Sequence, residues 1–264
     1  MMTSTGGSSR WARGGMLSAV LAIAAALCTA NSADISQQPA ALKKVAAPDQ
    51  PDLSGVWVVT NFTPKAVTID GKGPPLQPWA RDIYDKRLVA ASRDGLDFND
   101  TEAYCLSGGM PRMMMGAAYP IQILQTAGQV TILFELIRNV RYIHLTDQHP
   151  DPADFDPSFN GDSIGRWEAD TLIVDTIGLL DKTTVDKYGI PHTDALHVVE
   201  RIRRTDENTF EDLMTIEDPK TFTAPWQYRA VYKRAPAGTR LAEYMCENNR
   251  NLPDEKGAVT FKAK

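Results

Sequence analysis

The sequence has little cysteine and histidine and no excess of positive charge, and each shortage excludes a class of function. Three cysteines and four histidines occur in 264 residues. None of them follows the H-E-x-x-H or close Cys/His spacing of a zinc site. Lysine and arginine number 28 against 33 aspartates and glutamates, which gives a net charge of −5. This balance does not favour binding to nucleic acid or to an anionic membrane surface.

The sequence also lacks a hydrophobic run long enough for a comfortable membrane span. The main apolar run, residues 16–27, follows a basic segment and precedes mostly small residues. This order predicts a signal peptide over residues 1–33. We therefore expect a periplasmic or secreted protein with no stable membrane insertion after signal removal. Cys28 follows Leu27 rather than a small residue, which disfavours a lipid anchor.

The remaining chain predicts one domain after a linker. Residues 34–52 are rich in Ala, Gln, Lys and Pro, which is typical of a linker or extended arm. Residues 53–264 then predict a single β domain. Its two cysteines, Cys105 and Cys246, are an isolated pair. In an oxidising compartment such a pair favours a disulfide over a metal site.

Short strands dominate the pattern of the domain. The predicted strands are 52–60, 119–126, 130–136, 140–146, 163–168, 171–177, 196–204, 209–217, 226–233, 241–246 and 259–262. Residues 78–92 have the apolar period of a helix, which we interpret as a packing element without chemistry. Strands and helices do not alternate, so Rossmann and TIM architectures are excluded. The pattern predicts an all-β fold, an antiparallel barrel or sandwich with one short helix and long loops.

Residues 163–177 predict a hairpin with a mixed face. A two-residue turn at 169–170 would pair Trp167 with Leu172. The opposite face would carry Ile164, Arg166, Ile173 and Asp175. Arg166 and Asp175 would then be diagonal neighbours, as on a barrel wall that lines a partly polar cavity. An ordinary ion pair on a solvated face is the alternative.

Glu135 is the most unusual carboxylate, because it lies in an otherwise apolar strand. A buried carboxylate has a raised pKa, which suits general acid or base catalysis. A two-residue turn at 138–139 would place Glu135 opposite Tyr142, with His144 on the same face. Arg141 would point to the opposite face. A structural ion pair with an arginine of another strand is the alternative role for Glu135.

The histidines are the other candidates for proton transfer. They are His144, His149, His192 and His197. A structural hydrogen bond is the commoner role for any one of them, but four in one domain predict at least one pocket residue. His149 opens an acidic loop, residues 149–162, whose aspartates could surround a cation. Their spacing matches no calcium loop, so we assign no metal.

A methionine-rich loop at residues 104–116 is the remaining unusual segment. It contains Met110, Met113, Met114 and Met115 among glycines and a proline. Methionine packs adaptively, so the loop could cap a hydrophobic ligand. Filling a gap under a loop is the alternative.

Four segments carry a resemblance to a known family. They are D-L-S-G-V-W at 52–57, H-P-D-P-A-D-F-D-P-S-F-N-G-D-S-I-G-R-W-E-A-D-T-L-I-V-D-T at 149–176, P-H-T-D-A-L-H-V-V-E-R-I-R-R at 191–204 and T-I-E-D-P-K-T-F-T-A-P-W at 215–226. Together they resemble a family of secreted, largely uncharacterised bacterial proteins with a lipocalin-like β-barrel. The resemblance implies that fold and an export signal. It supplies no reaction, so no catalytic role is carried over. The likeness to cofactor-free barrel enzymes that act on bulky aromatic molecules is a fold-level analogy.

These patterns favour an exported barrel enzyme that performs acid–base chemistry without a cofactor. A lyase, isomerase or hydratase reaction on a small hydrophobic, aromatic molecule is expected. The predicted catalytic residues are Glu135 or His149 as the base, with Tyr142, Arg166 and, in a shifted register, Arg141. The predicted substrate-binding residues are His144, His192, His197, Trp167, Asp175, Met113, Met114 and Met115. The alternative is a non-catalytic periplasmic carrier of an apolar ligand, and a homo-oligomer remains open in either case.

Overall fold

The computed structural model describes residues 50–94, 100–116, 119–151, 153–154, 156–244 and 246. The predicted signal peptide, most of the predicted linker and the predicted strand at 259–262 lie outside the described residues.

Nine strands form a closed barrel in chain order. They are β1 (Gly55–Val59), β2 (Ile121–Gln125), β3 (Gln129–Phe134), β4 (Val140–His144), β5 (Asp162–Glu168), β6 (Thr171–Ile177), β7 (His197–Asp206), β8 (Thr209–Glu217) and β9 (Trp226–Arg234). β9 pairs with β1, which closes the barrel and leaves neither strand with a free edge. The predicted all-β barrel class is confirmed.

One strand pair departs from the predicted antiparallel arrangement. β4 and β5 are parallel, with Ile143 opposite Ser163 and His144 opposite Ile164. The other neighbouring pairs are antiparallel. Two parallel neighbours need a crossover connection, because the chain must return to the end at which the first strand began. Residues 145–161 make this crossover.

The described residues contain more helix than the sequence pattern predicts. The helix expected at 78–92 is confirmed as α1, Pro78–Asp94. A second short helix, α2, spans Arg112–Met115 in the methionine-rich loop. Single 3-10 turns lie at Thr101–Tyr104 and Leu136–Arg138. No helix of the described residues is long and apolar enough to cross a membrane.

The methionine-rich loop packs into the hydrophobic core. Met110, Met113, Met114 and Met115 are each at most 3% exposed. The hydroxyls of Tyr228 and Tyr232, on β9, donate to the carbonyls of Met115 and Met114 at 3.3 and 2.8 Å. The loop therefore fills the core, as the alternative interpretation expected.

The predicted strand at 241–246 is wrong for its described part. Residues 241–244 are irregular, because the pairing of β1 with β9 leaves no barrel edge for another strand. This segment is instead tied down by the disulfide between Cys105 and Cys246, whose sulfurs are 2.04 Å apart. The predicted disulfide is confirmed.

Candidate functional site

His149 lies between two carboxylates on the outer wall of the barrel. Its Nδ1 is 2.6 Å from Oδ1 of Asp162, and its Nε2 is 3.1 Å from Oδ1 of Asp175. The same Asp175 oxygen is 3.0 Å from Nε2 of His197. These four side chains form a continuous chain of hydrogen bonds, called the His–Asp network below. Their side chains are 17% to 36% exposed, so solvent and small molecules can reach them.

Strand alternation explains why two members of the network share the outer wall. Successive side chains of a strand point to opposite faces. On β6, Val174 and Thr176 are fully buried inside the barrel, so Asp175 between them points outward. On β7 the buried Val198 likewise turns His197 outward. The β4–β5 crossover reaches the same wall and brings the first histidine of the network to them.

The geometry distinguishes the two histidines. Both ring nitrogens of His149 face carboxylate oxygens, and an imidazole donates from both nitrogens only when it is protonated. His197 engages Asp175 through Nε2, which leaves Nδ1 as the nitrogen that can accept a proton. A carboxylate that holds one nitrogen of a histidine also orients its ring for proton transfer.

The structure brings together residues that the sequence predicts separately. His149 is a predicted catalytic residue, and Asp175 and His197 are predicted binding residues. The predicted hairpin register is confirmed, with Trp167 opposite Leu172 and Ile164 opposite Asp175.

Arg166 and Trp167 lie elsewhere. The predicted Arg166–Asp175 pair is wrong: Arg166 binds Glu168 at 2.8 Å on the exposed outer face, which is the solvated alternative. Its face does not line the interior of the barrel, because Leu172, Val174 and Thr176 occupy the inward positions of β6; Ile173, opposite Arg166, is buried on the outer face. Trp167 packs against the core, and its indole nitrogen has no hydrogen-bond partner among the described residues.

The predicted cluster of Glu135, Tyr142 and His144 is wrong in its register. Leu133 pairs with Val140, and Tyr142 lies opposite Thr131. The connection between β3 and β4 is longer than two residues because it includes a 3-10 turn. Glu135 instead accepts a hydrogen bond from the backbone N–H of Ala242 at 2.7 Å.

Tyr142 and His144 nevertheless share the outer wall with the His–Asp network. Both side chains are exposed. His144 pairs with Ile164, and Ile164 pairs with Asp175. The parallel register of β4 and β5 therefore places Tyr142, two residues before His144, level with Asp162.

His192 is buried, and its ring nitrogens form hydrogen bonds within the fold. Its Nδ1–H donates a hydrogen bond to the carbonyl oxygen of Thr193 at 3.1 Å, and its Nε2 is 2.7 Å from Oγ1 of Thr183. Burial lowers the pKa of His192. The ring therefore favours the neutral form, and it does not contact the His–Asp network.

A second polar group, the inner polar cluster, lies inside the barrel. Arg141 is fully buried and makes a bidentate ion pair with Glu200. Its guanidinium also donates to the hydroxyls of Ser163 and Thr176 at distances of 3.0 to 3.2 Å. Arg141 is predicted from the sequence to orient substrate, but its position makes it the centre of a closed interior network.

Asp212 lies beside this cluster, and the sequence patterns did not single it out. It is fully buried, and neither of its carboxyl oxygens has a hydrogen-bond partner among the described residues. Burial, and next the negative charge of Glu200, raise the pKa of Asp212 well above its usual range. Strand alternation could have found both acids, because Glu200 lies between the inward positions of Val198 and Ile202.

The acidic crossover does not form a cation cage in the described part of the chain. No group of three or more His, Cys, Asp or Glu side chains there is arranged to hold a metal ion. Asp151 is exposed and accepts a hydrogen bond from the backbone N–H of Ala153. Asp162 binds His149 instead.

Comparisons with other proteins supply no further constraint on this site. No protein-family model matches the chain, and no curated protein matches it.

Proposed function

We propose that the chain is an exported enzyme that performs acid–base chemistry without a cofactor at the His–Asp network. The reaction class is elimination, isomerisation or hydration of a small hydrophobic, aromatic molecule. The observation that carries this proposal is the position of His149 between Asp162 and Asp175, with His197 on the same Asp175 oxygen.

Two histidines that share a carboxylate support a proton-transfer role better than a purely structural one. Nδ1 of His197 takes a proton from the substrate, and Asp175 stabilises the imidazolium that forms. His149, held at both nitrogens, has no nitrogen free to take up a further proton, and it positions Asp175 through its own hydrogen bond. Asp162 orients His149. The proton taken by His197 returns to product or solvent, so the cycle needs no oxidant or reductant.

Export is part of the proposal. It is supported by the basic and apolar pattern of residues 1–33 and by the disulfide, which an oxidising compartment maintains.

Deuterium incorporation tests the proposed chemistry on many compounds at once, so the substrate need not be identified first. The mature protein is incubated in D2O with a panel of small aromatic and unsaturated compounds, and each compound is weighed by mass spectrometry. We expect a deuterium-labelled compound or a new product, because acid–base catalysis exchanges protons with solvent. His197→Gln, His149→Gln and Asp175→Asn should each lower the rate at least a hundredfold, at the lower end of the range for a general acid or base.

Asp170→Asn is the matched control. Asp170 lies on the same hairpin as Asp175 and is exposed, and it binds Arg203 and Thr171 rather than a member of the network. This variant should label compounds at the rate of the unmodified protein. Labelling that persists in a His149→Gln/His197→Gln double variant would contradict the proposal.

A carrier that binds an apolar molecule without changing it is the alternative function. An open groove beside β8 and β9, lined in part by Ile69, Pro75 and Trp226, supports this alternative. Saturable binding of compounds that never acquire deuterium would support this alternative.

A further inference from the structure

The segment between β1 and α1 runs along the edge of β9 that faces away from β8. The backbone N–H of Ile69 donates to the carbonyl of Gln227 at 3.0 Å, and Leu76 bridges to Phe222. An open groove of about 580 Å³ lies between this segment and the wall. Its apolar lining comes from Ile69, Pro75, Pro225 and Trp226. Its polar lining comes from Thr68, Asp70, Lys72, Thr215 and Gln227, and Lys72 and Asp70 are paired with each other at 2.9 Å.

The register of the barrel connects this groove to the His–Asp network. One outward row of paired residues crosses six strands: His144, Ile164, Asp175, Val199, Thr215 and Gln227. Asp175 belongs to the network, and Thr215 lines the groove. Only β7 separates their strands, so the strand axes are about 10 Å apart. His197 is itself on β7, two residues before Val199 on the same face.

We infer that this groove binds the apolar body of the substrate and presents its reactive end to His197. This inference rests on the proposed function and adds the place and class of the ligand. The ligand is a small, mostly apolar aromatic molecule. It extends along the wall from Ile69 and Trp226 toward the network.

The lining of the groove fits this class of ligand. Small-molecule sites have volumes of roughly 300–1,000 Å³, with mostly apolar walls and few polar groups. Ile69 is 54% exposed, so its side chain offers apolar surface to a ligand in the groove. Trp226 is only 5% exposed, and its indole nitrogen has no hydrogen-bond partner among the described residues.

Binding of a neutral fluorescent probe, N-phenyl-1-naphthylamine, tests the groove directly. We expect saturable binding to the mature protein. Ile69→Asp should weaken it at least tenfold, because the change removes apolar surface from the groove and adds a second carboxylate beside Asp70. The matched control is Val89→Asp, on the outer side of α1. Val89 is also 54% exposed but does not line the groove, so this variant should change the affinity less than twofold.

Histidine ring signals in NMR test the link to the network. The probe should shift the ring signals of His197 and leave those of the buried His192 in place. The inference is overturned by a lack of saturable binding, by equal losses in Ile69→Asp and Val89→Asp, or by binding that leaves His197 unshifted.

The two proposals fail in different ways. Asp175→Asn should lower the rate of deuterium labelling at least a hundredfold and still bind the probe, since Asp175 does not line the groove. If probe binding behaves as expected but no compound is labelled, the result supports ligand binding in the groove and contradicts the proposed acid–base catalysis. If a compound is labelled and Ile69→Asp leaves its KM unchanged, the result contradicts only the proposal that the groove binds the substrate.

Discussion

Three ionisable side chains, Arg141, Glu200 and Asp212, lie inside the barrel, and only one of the two carboxyls has a counter-charge. Arg141 is the single cation of this interior group, and it is already paired with Glu200 through two hydrogen bonds. Asp212 is buried with both oxygens unpartnered among the described residues, so its ionisation would place an uncompensated charge in the core. Burial and the charge of Glu200 accordingly raise its pKa.

Asp212→Asn should make the stability of the fold less sensitive to rising pH. Above the usual aspartate pKa of 3.8 the unfolded chain releases a proton that folded Asp212 retains, so the unmodified protein loses stability as pH rises toward the folded pKa. The unfolding free energy of Asp212→Asn should therefore increase relative to that of the unmodified protein as pH rises, by up to about 1.4 kcal/mol per pH unit. Urea unfolding at pH 4.5, 6.0 and 7.5 measures it.

The control for this prediction is an exposed aspartate with the opposite shift. The hydrogen bond from Arg203 lowers the pKa of Asp170. Asp170→Asn should therefore show no gain with rising pH. A pH-independent difference between Asp212→Asn and the unmodified protein would show that Asp212 ionises normally in the fold.

At the scale of elements, the parallel β4–β5 pair depends on a small residue. A Cβ on Gly165 of β5 would lie 2.8 Å from Cγ2 of Ile143 and 3.2 Å from a methyl of Leu145. Ile143 is fully buried, so it has little room to move. The glycine thus allows the close packing of β5 on β4 and on the start of the crossover that carries His149.

Gly165→Ala should destabilise the fold by about 1–3 kcal/mol, the range for overpacking a well-packed core. Denaturant unfolding measures the change. The matched control is Gly128→Ala, in the turn between β2 and β3, where an added Cβ would meet no atom within 4 Å. That change should stay within about 0.5 kcal/mol. Equal stability of the two variants would mean that the β4–β5 contact is looser than described.

At the scale of the whole molecule, one covalent link joins distant parts of the chain. Cys105 and Cys246 are 141 residues apart in sequence, and the strands β2 to β9 all lie between them. A cross-link over so long a loop restricts the unfolded chain strongly. The barrel itself is closed by hydrogen bonds between β1 and β9.

Replacing both cysteines by serine should lower the unfolding free energy by about 2–5 kcal/mol. Denaturant unfolding of the mature protein measures this loss. Unmodified protein unfolded under reducing conditions should show a similar loss, which separates the effect of the cross-link from that of the two substitutions. Identical unfolding midpoints with and without the disulfide would contradict the prediction.

The sequence by itself determined the class of the fold, one helix, the disulfide and one hairpin. The 163–177 hairpin was predictable because a two-residue turn and strict alternation fix the register locally. For the same reason alternation could have identified Glu200 and Asp212 as inward acids. His149, His197 and Asp175 were recognisable as candidates by residue type.

Only the tertiary structure decided which of these candidates meet. His149 approaches Asp175 because the crossover returns along the wall to a parallel strand, and no local pattern reports a parallel pairing. The predicted pairing of Glu135 with Tyr142 is wrong because β3 and β4 are joined by a 3-10 turn, with Ile137 and Arg138 in the left-handed region, and not by a two-residue turn. Barrel closure removed the edge that a strand at 241–246 would need. These outcomes depend on contacts between residues far apart in the chain, which period and propensity do not encode.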